Sequence, residues 1–181
     1  MKKARSLPSQ QHLKSVLSYD LATGVLIWLC RPEARTEWNT RYAGRIAGKV
    51  SGGYRYLRFG KHTFKSARLI WKYMTGNDPL GEIDHRNTIG TDDRWDNLRD
   101  STRGQNARNR NAYAKSGLPK GVALNCNKTR YAAKIHIDYR TIHLGVFDTV
   151  TAAASAYDAA ARLHHGEFAR PNEEHLAELP R

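Results

Sequence analysis

The alternation of hydrophobic and polar positions predicts helices and short strands in the first part of the chain. Apolar residues at helical spacing predict one helix over 9–17, with Ser9 as its N-cap, and a second over 67–75 that ends at Gly76. Between these helices, short apolar or alternating runs predict strands at 25–28, at 54–59 and around Phe64. A polar segment rich in Asp, Asn and Arg follows at 82–111.

Beyond residue 118 the pattern changes to three short strands and one helix. Strands are predicted at 121–124, 131–137 and 141–147, and Thr149 is a good N-cap for a helix over 150–165 that Gly166 ends. The stripe of this helix that should face the sheet consists of Ala153, Ala156, Tyr157, Ala160 and Leu163.

These patterns predict an α+β protein in two parts. Residues 1–113 would form the first domain, 114–118 a linker, 119–172 a three-stranded antiparallel sheet packed on one helix, and 173–181 a tail.

The charge balance predicts a polyanionic partner. Lys and Arg number 30 against 17 Asp and Glu, which leaves a formal net charge of +13 over 181 residues. Nucleic acid is the commonest such partner, because each neutralised phosphate releases a counterion. A membrane surface is the rival, but the best helix is alanine-rich and carries few cations. No apolar run approaches the roughly 20 residues of a spanning helix, so we expect a cytoplasmic protein.

The cysteine content argues against structural zinc. Cys30 and Cys126 are the only two, they are far apart in sequence, and a site of four thiolates is impossible with two. We expect both to be ordinary buried thiols.

The polar segment 82–111 contains the residue types that phosphodiester hydrolysis requires. His85 is a base suited to neutral pH, and it directly follows the carboxylate of Asp84. Asn97 and Asn106 lie downstream, and Mg²⁺ accepts one carboxylate and one amide oxygen while keeping several waters. Each residue alone is more often a turn, cap or surface residue, and the ordered set carries the prediction.

This ordered set resembles the ββα-metal motif of HNH endonucleases, with a strand ending in Asp-His, a loop, a strand ending near Asn-Leu-Arg, and a helix. The resemblance implies His85 as general base and Asp84 and Asn106 as ligands of Mg²⁺ or another divalent cation such as Mn²⁺. It further implies that Asn97 pins the loop and orients the histidine. The upstream segments YDLATGVLIW and ARLIWKYMTGNDP resemble free-standing phage HNH proteins of the homing type, although Ala67 stands where many relatives have His.

The segment from Lys120 to Asn172 is similar to the plant ethylene-response-factor (Apetala-two) DNA-binding domain. The similarity rests on Lys-Gly-Val at 120–122, on Leu-Gly-x-Phe-Asp-Thr at 144–149 and on Ala-Tyr-Asp-Ala-Ala at 156–160. In that family the sheet enters the major groove, for which a β-ribbon is narrow enough.

Two groups of residues are therefore expected to bind double-stranded DNA. Close to the Asp-His motif, positive charge alone predicts phosphate contacts by Arg99, Arg103, Arg108 and Arg110, with Lys115 nearby. In the C-terminal segment, the resemblance implies Lys120, Asn125, Lys134, His136 and His143, and charge adds Lys128 and Arg130.

Together these features predict a metal-dependent DNA endonuclease, making nicks or double-strand breaks and targeted by its C-terminal domain. It would act in a bacterium or a phage-infected host; the sequence leaves the oligomeric state open, and a monomer is compatible with this prediction. The alternative is a catalytically inactive DNA-binding regulator on a nuclease scaffold. An RNA-binding protein is a weaker alternative, because the strands show no aromatic stacking platform.

Overall fold

The computed structural model describes residues 6–109, 117–138 and 140–172. The chain forms two compact units, residues 1–103 and 104–181. The predicted tail at 173–181, most of the predicted linker, Arg110 and Lys115 lie outside the described residues.

The first unit combines small antiparallel sheets with short helices. Its elements in chain order are α1 (Gln10–Val16), β1 (Leu17–Asp20), β2 (Val25–Trp28), α2 (Thr36–Tyr42), β3 (Lys49–Ser51), β4 (Tyr54–Phe59), β5 (His62–Lys65), α3 (Ser66–Thr75), β6 (Glu82–His85) and β7 (Leu98–Ser101). The sheets are β1-β2, β3-β4-β5 and β6-β7, all antiparallel.

One hydrophobic core holds the first unit together. Leu13 of α1, Leu26 of β2, Leu57 of β4 and Ile70 of α3 are almost completely buried in the same cluster, and Leu98 at the start of β7 joins it. Burying side chains of this size contributes about 1.5–3 kcal/mol each. Because β7 is anchored in this core, the hairpin β6-β7 has a fixed position within the unit.

The second unit contains most of α4 (Arg103–Asn109), whose first residue ends the first unit, and a sheet covered by one helix. The sheet has the order β10-β9-β8, from β8 (Val122–Leu124), β9 (Tyr131–Ile137) and β10 (Arg140–Phe147), and α5 (Val150–His165) packs on it. Ala133 and Ile135 of β9 meet Ala153, Tyr157 and Ala161 of α5.

Gly121 allows this close packing in the second unit. Its φ of 76° lies in the left-handed region, and a Cβ there would lie 1.9 Å from the Tyr157 ring. Nearby, the buried carboxylate of Asp158 accepts hydrogen bonds from the backbone and the side chain of Asn172. Asn172 in turn bonds both backbone groups of Lys120, which ties the end of the described chain to the start of the sheet.

Most of the predicted helices and strands are present. Ser9 caps α1, Gly76 ends α3 in the left-handed conformation, and Thr149 caps α5. The elements β1, α2 and β3 were not predicted. Leu163 is 77% exposed rather than facing the sheet, because the buried stripe of α5 advances by one turn at a time through Ala153, Tyr157, Ala161 and His165.

One further expectation is wrong, and one strand is shifted slightly. Cys30 and Cys126 are exposed, because Cys30 lies just beyond β2 and Cys126 lies in the turn between β8 and β9. The second strand of the Asp-His hairpin, β7, begins at Leu98 and ends at Ser101, two residues beyond Arg99, because a single 3-10 turn occupies Trp95–Asn97.

Candidate functional site

The hairpin β6-β7 positions Asp84 and His85 at the end of its first strand. Asp84 is paired in register with Arg99, and His85 with Leu98. Asp84 and His85 are each only 5% exposed. Neighbouring side chains of a strand point to opposite faces, so Asp84 and His85 have different surroundings. The chain leaves β6 directly after His85 and enters the loop 86–94.

Arg99 forms a buried ion pair with Asp84. Its Nε donates to Asp84 Oδ2 at 2.8 Å, and Nη2 lies 2.8 Å from the same oxygen. Arg99 is 6% exposed, so its guanidinium faces a carboxylate and not solvent, where a phosphate contact had been predicted. Such a pair neutralises a charge that would be costly to bury alone.

His85 forms a second buried pair, with Asp93. The imidazole Nε2 lies 2.8 Å from Asp93 Oδ1, and the two side chains are 5% and 2% exposed. When the Asp93 carboxylate accepts a hydrogen bond from Nε2–H, the other ring nitrogen, Nδ1, is the basic one. This arrangement gives His85 a defined tautomer and orientation.

Asp93 was not singled out from the sequence, and only the fold brings it to His85. The Tyr19 hydroxyl of β1 donates to the Asp93 carbonyl at 2.8 Å. Burial, followed by the charge of Asp93, raises the pKa of Tyr19 to about 12, so this hydroxyl keeps its proton. The Asp93 Oδ2 atom is buried without a hydrogen-bond partner among the described residues.

Asn97 holds the loop that carries Asp93. Its Nδ2 donates to the Asp92 carbonyl at 2.7 Å and to Asn87 Oδ1 at 3.0 Å, while its Oδ1 accepts from the Asn87 backbone N–H at 2.9 Å. The side chains of Arg94 and Asn87 both donate hydrogen bonds to the Asp92 carboxylate. Together with the backbone N–H of Arg94, they lower the pKa of Asp92 to about 2. Through its own three contacts, the Asn97 side chain links Asn87 and Asp92 within the loop.

Close packing from other segments supports the same loop. Gly24, in the turn between β1 and β2, has a φ of 73°, and a Cβ there would lie 2.3 Å from the Arg94 nitrogen. On the loop itself, a Cβ at Gly90 would lie 2.5 Å from the Tyr54 ring. The Tyr54 ring also lies 6.0 Å from the His85 ring, and Lys65 Nζ lies 3.6 Å from the Tyr54 ring centroid.

The position of Ala67, which the resemblance associates with a histidine, has a purely structural environment. Ala67 is 3% exposed in the hydrophobic core. The next residue, Arg68, donates to the Gly81 carbonyl at 2.9 Å, which ties α3 to the start of β6.

The expected metal ligands lie on two different elements. Asp84 is the second-last residue of β6, and Asn106 is half-buried on α4, which is separated from β7 by the single residue Thr102. Among the described residues, no group of three or more His, Cys, Asp and Glu side chains could hold a metal ion. The donors that remain, a carboxylate and an amide oxygen, are hard ligands of the type that Mg²⁺ and Mn²⁺ accept.

The predicted DNA-binding residues on α4 have different exposures. Arg103 is exposed at the start of the helix. Arg108 is half-buried and lies 3.6 Å from Asp138 Oδ1. Its carbonyl accepts a hydrogen bond from the ammonium of Lys120.

Lys120 is therefore bound to the end of a helix instead of projecting from the sheet. Burial, with a smaller effect of the Arg170 charge, lowers the pKa of Lys120 to about 8. Cations are favourable near the C-terminal carbonyls of a helix, which explains this position.

The open face of the second sheet carries several of the predicted DNA contacts. Lys134 and His136 alternate along β9 with the buried Ala133 and Ile135, so they lie on the face opposite α5. His143 of β10 is paired in register with Lys134, and both are exposed.

The other predicted contacts lie in or beside the turn between β8 and β9. Asn125 Oδ1 accepts from the backbone of Thr129 and Arg130, which shapes the turn. Lys128 is exposed there with a φ of 55°. Arg130 is exposed and paired with Asp148 at 2.6 Å.

Comparison with known proteins gives a match to one family model over part of the chain. The family model of the HNH endonuclease matches residues 66–108, from the start of α3 to near the end of α4, which is less than a quarter of the 181 residues. No curated protein and no solved structure gives a significant match. No described helix is long and apolar enough to cross a membrane.

Proposed function

We propose that this protein, which carries an HNH endonuclease segment and so is related to nucleases, is a metal-dependent DNA endonuclease that hydrolyses phosphodiester bonds. HNH nucleases generally use divalent metal ions, and their substrates are nucleic acids. The observation that carries the proposal is the buried His85–Asp93 pair, inside the matched segment and beside the carboxylate of Asp84.

In the proposed reaction, His85 takes the proton of the attacking water. Asp93 holds the imidazole so that Nδ1 is the basic nitrogen, and it stabilises the positive charge that develops on the ring. Asn97 acts at a distance, because its three hydrogen bonds keep the loop of Asp93 in place.

Asp84 and Asn106 would hold the divalent ion, Mg²⁺ or Mn²⁺. A bound ion of this kind neutralises phosphate charge and stabilises the leaving oxygen. Arg99 orients the Asp84 carboxylate within the hairpin. The products would carry 5′-phosphate and 3′-hydroxyl ends, from a nick or a double-strand break.

We further propose that the unit with β8, β9, β10 and α5 binds double-stranded DNA through its open sheet face. Lys134, His136 and His143 are exposed there, and a two- or three-stranded ribbon fits the major groove. Arg103, Lys128 and Arg130 would contact phosphates. An ethylene-response-factor-like module joined to a homing-type nuclease in the cytoplasm of a bacterium or infected host accounts for this combination.

Plasmid cleavage tests the proposed activity. Wild type should relax or linearise supercoiled plasmid in Mg²⁺ and not in EDTA, whereas His85→Ala and Asn106→Ala should lose at least about 100-fold in rate. His62→Ala, which removes an exposed imidazole from β5, is the matched control and should cleave at the wild-type rate. Undiminished cleavage by His85→Ala would refute the base assignment.

A second candidate function is DNA binding without cleavage. The near-complete burial of Asp84 and His85 favours it, as does the engagement of Asp84 Oδ2 by Arg99. This candidate predicts salt-sensitive DNA binding by wild type with no cleavage in Mg²⁺ or Mn²⁺. The plasmid assay with a parallel gel-retardation measurement therefore separates the two functions.

A further inference from the structure

Lys65 is a half-buried cation beside the His85–Asp93 pair that neither proposed function uses. It ends β5 and immediately precedes α3. Its register partner is Tyr56 on β4. Tyr54 lies two residues before Tyr56 on β4 and therefore on the same face, so Lys65 and Tyr54 share a face of the sheet. Its ammonium lies 3.6 Å from the centroid of the Tyr54 ring.

The Tyr54 ring connects Lys65 to His85 and to the loop 86–94. The same ring lies 6.0 Å from the His85 imidazole and contacts Gly90 so closely that a Cβ there would overlap it. The negative charges of Glu82 and Asp93 also act on the Lys65 ammonium. Lys65 is thus on the side of the first unit where His85 and Asp93 meet.

The environment of Lys65 favours an additional anion. Burial lowers its pKa, and the attraction of Glu82 and Asp93 offsets this only in part. Across residues 6–109, 117–138 and 140–172, no carboxylate forms an ion pair with it, in contrast to the buried guanidinium of Arg99. A partly desolvated ammonium that stacks on an aromatic face and has no ion-pair partner in the described part of the chain gains from a phosphate oxygen, which is a strong acceptor and carries charge.

We infer that Lys65, placed by Tyr54 next to His85 and Asp93, binds the DNA phosphate that undergoes hydrolysis. This inference rests on the proposed function and deepens it, because it assigns a charge contact to the reacting group from outside the HNH-matched residues. The ammonium would attract the phosphate before reaction and stabilise the additional negative charge in the transition state.

The test measures cleavage and metal-free DNA binding for wild type, Lys65→Gln and Lys65→Arg, with Lys61→Gln as the matched control. Lys61 is exposed in the turn of the same hairpin, so its substitution removes an equal charge without touching Tyr54. Single-turnover rates at saturating protein should fall about 100-fold for Lys65→Gln and less than about tenfold for Lys65→Arg. The rate of Lys61→Gln should be unchanged.

Salt dependence separates a phosphate contact from a structural role. In EDTA, the slope of log K against log salt for a short duplex should become about 0.9 less steep for Lys65→Gln, and stay unchanged for Lys61→Gln and for Tyr54→Phe, which keeps the ring. Equal rates and slopes in wild type and Lys65→Gln would overturn the inference. The inference would also be overturned if Lys65→Arg cleaved as slowly as Lys65→Gln while the salt slope of Lys65→Gln stayed at the wild-type value.

The two proposals can fail separately. If wild type binds DNA but does not cleave it in Mg²⁺ or Mn²⁺, the proposed endonuclease is rejected. In that case the salt slope of Lys65→Gln still decides whether Lys65 contacts a phosphate: a less steep slope supports the contact and an unchanged slope rejects it.

Discussion

At the level of single residues, His85 and Asp93 depend on each other because both are almost fully buried. A carboxylate in this position needs a donor, and the imidazole supplies one at 2.8 Å. The Asp93 Oδ2 atom has no hydrogen bond within the described chain, so the whole interaction is concentrated on one oxygen.

Asp93→Asn should reduce the cleavage rate by at least about 100-fold with little change in DNA affinity. The introduced amide can donate to Nε2, which would move the ring proton to Nδ1 and block the basic nitrogen. Single-turnover cleavage and gel retardation measure the two quantities. Asp96→Asn, an exposed acid in the same segment, should match wild type, and a similar rate for Asp93→Asn would contradict the orienting role.

The pairing of His85 with Asp93 could not be foreseen from sequence order. Asp84, His85, Asn97 and Asn106 were identified because the motif fixes their spacing. Asp93 lies in an irregular loop next to a second acid, Asp92, and nothing local distinguishes the two. The fold does so: Asp92 bonds Arg94 at the surface, whereas Asp93 points inwards.

At the level of elements, the turn between β1 and β2 buttresses the loop of Asp93. Gly24→Ala should therefore destabilise the protein more than an alanine at another left-handed glycine. Gly60→Ala is the matched control, because its φ is 55° and nothing lies within 4 Å of an added Cβ. We expect a loss of about 1 kcal/mol for Gly60→Ala from backbone strain, and at least about 1–2 kcal/mol more for Gly24→Ala.

Urea unfolding of the two full-length variants measures this difference, and plasmid cleavage shows whether the loop has moved. Equal stabilities would mean that the turn does not press on Arg94.

Lys120 gives the second unit a specific pH dependence. Its folded-state pKa of about 8 lies below its ordinary 10.5, so between these values the unfolded chain binds more protons. The contribution of Lys120 to stability therefore rises as the pH increases above about 8, and it is constant at lower pH.

Urea midpoints between pH 7 and 10 should rise more for wild type than for Lys120→Met. The range stops at pH 10 because of Tyr157, whose pKa is raised to about 12 by burial, with a contribution from Asp158. Above its ordinary pKa of 10.0, Tyr157 makes the stability fall as the pH rises, which opposes the effect of Lys120. Parallel pH profiles for wild type and Lys120→Met would contradict the assignment.

The sequence predicted the elements with strong periodicity and missed those without it. α5 has the predicted bounds because its alanine stripe, N-cap and terminal glycine agree. The helix α2 was missed because it has no buried residue and therefore no apolar stripe. Trp28 and Trp38 instead enclose the guanidinium of Arg31, at 4.7 and 4.2 Å, an interaction with no periodic signature.

At the level of the whole molecule, the net charge of +13 predicts binding that weakens steeply with salt. Replacing Lys134, His136 and His143 together by Ala should weaken duplex binding at least about tenfold. The cleavage rate at saturating protein should stay within about threefold, because none of the three belongs to the first unit. Fluorescence anisotropy and single-turnover cleavage are the measurements.

Alanines at three exposed positions of α5, Arg162, Leu163 and His164, provide the control for this sheet-face variant. They lie on the helix, which covers the opposite side of the sheet, and should leave affinity unchanged. A larger loss of duplex affinity in the helix variant than in the sheet-face variant would contradict DNA binding by the sheet face.

The segment that matches the HNH model starts at residue 66, yet Tyr19, Gly24 and Tyr54 hold its loop 86–94 from earlier parts of the chain. Residues 66–108 alone therefore lack part of the structure that holds the loop 86–94. Transplanted into a foreign scaffold, residues 66–108 would arrive without the hydroxyl that fixes the Asp93 carbonyl and without the ring that supports Gly90. A graft that keeps this loop conformation would have to include the hairpins β1-β2 and β4-β5, or reproduce their contacts with the loop in the new scaffold.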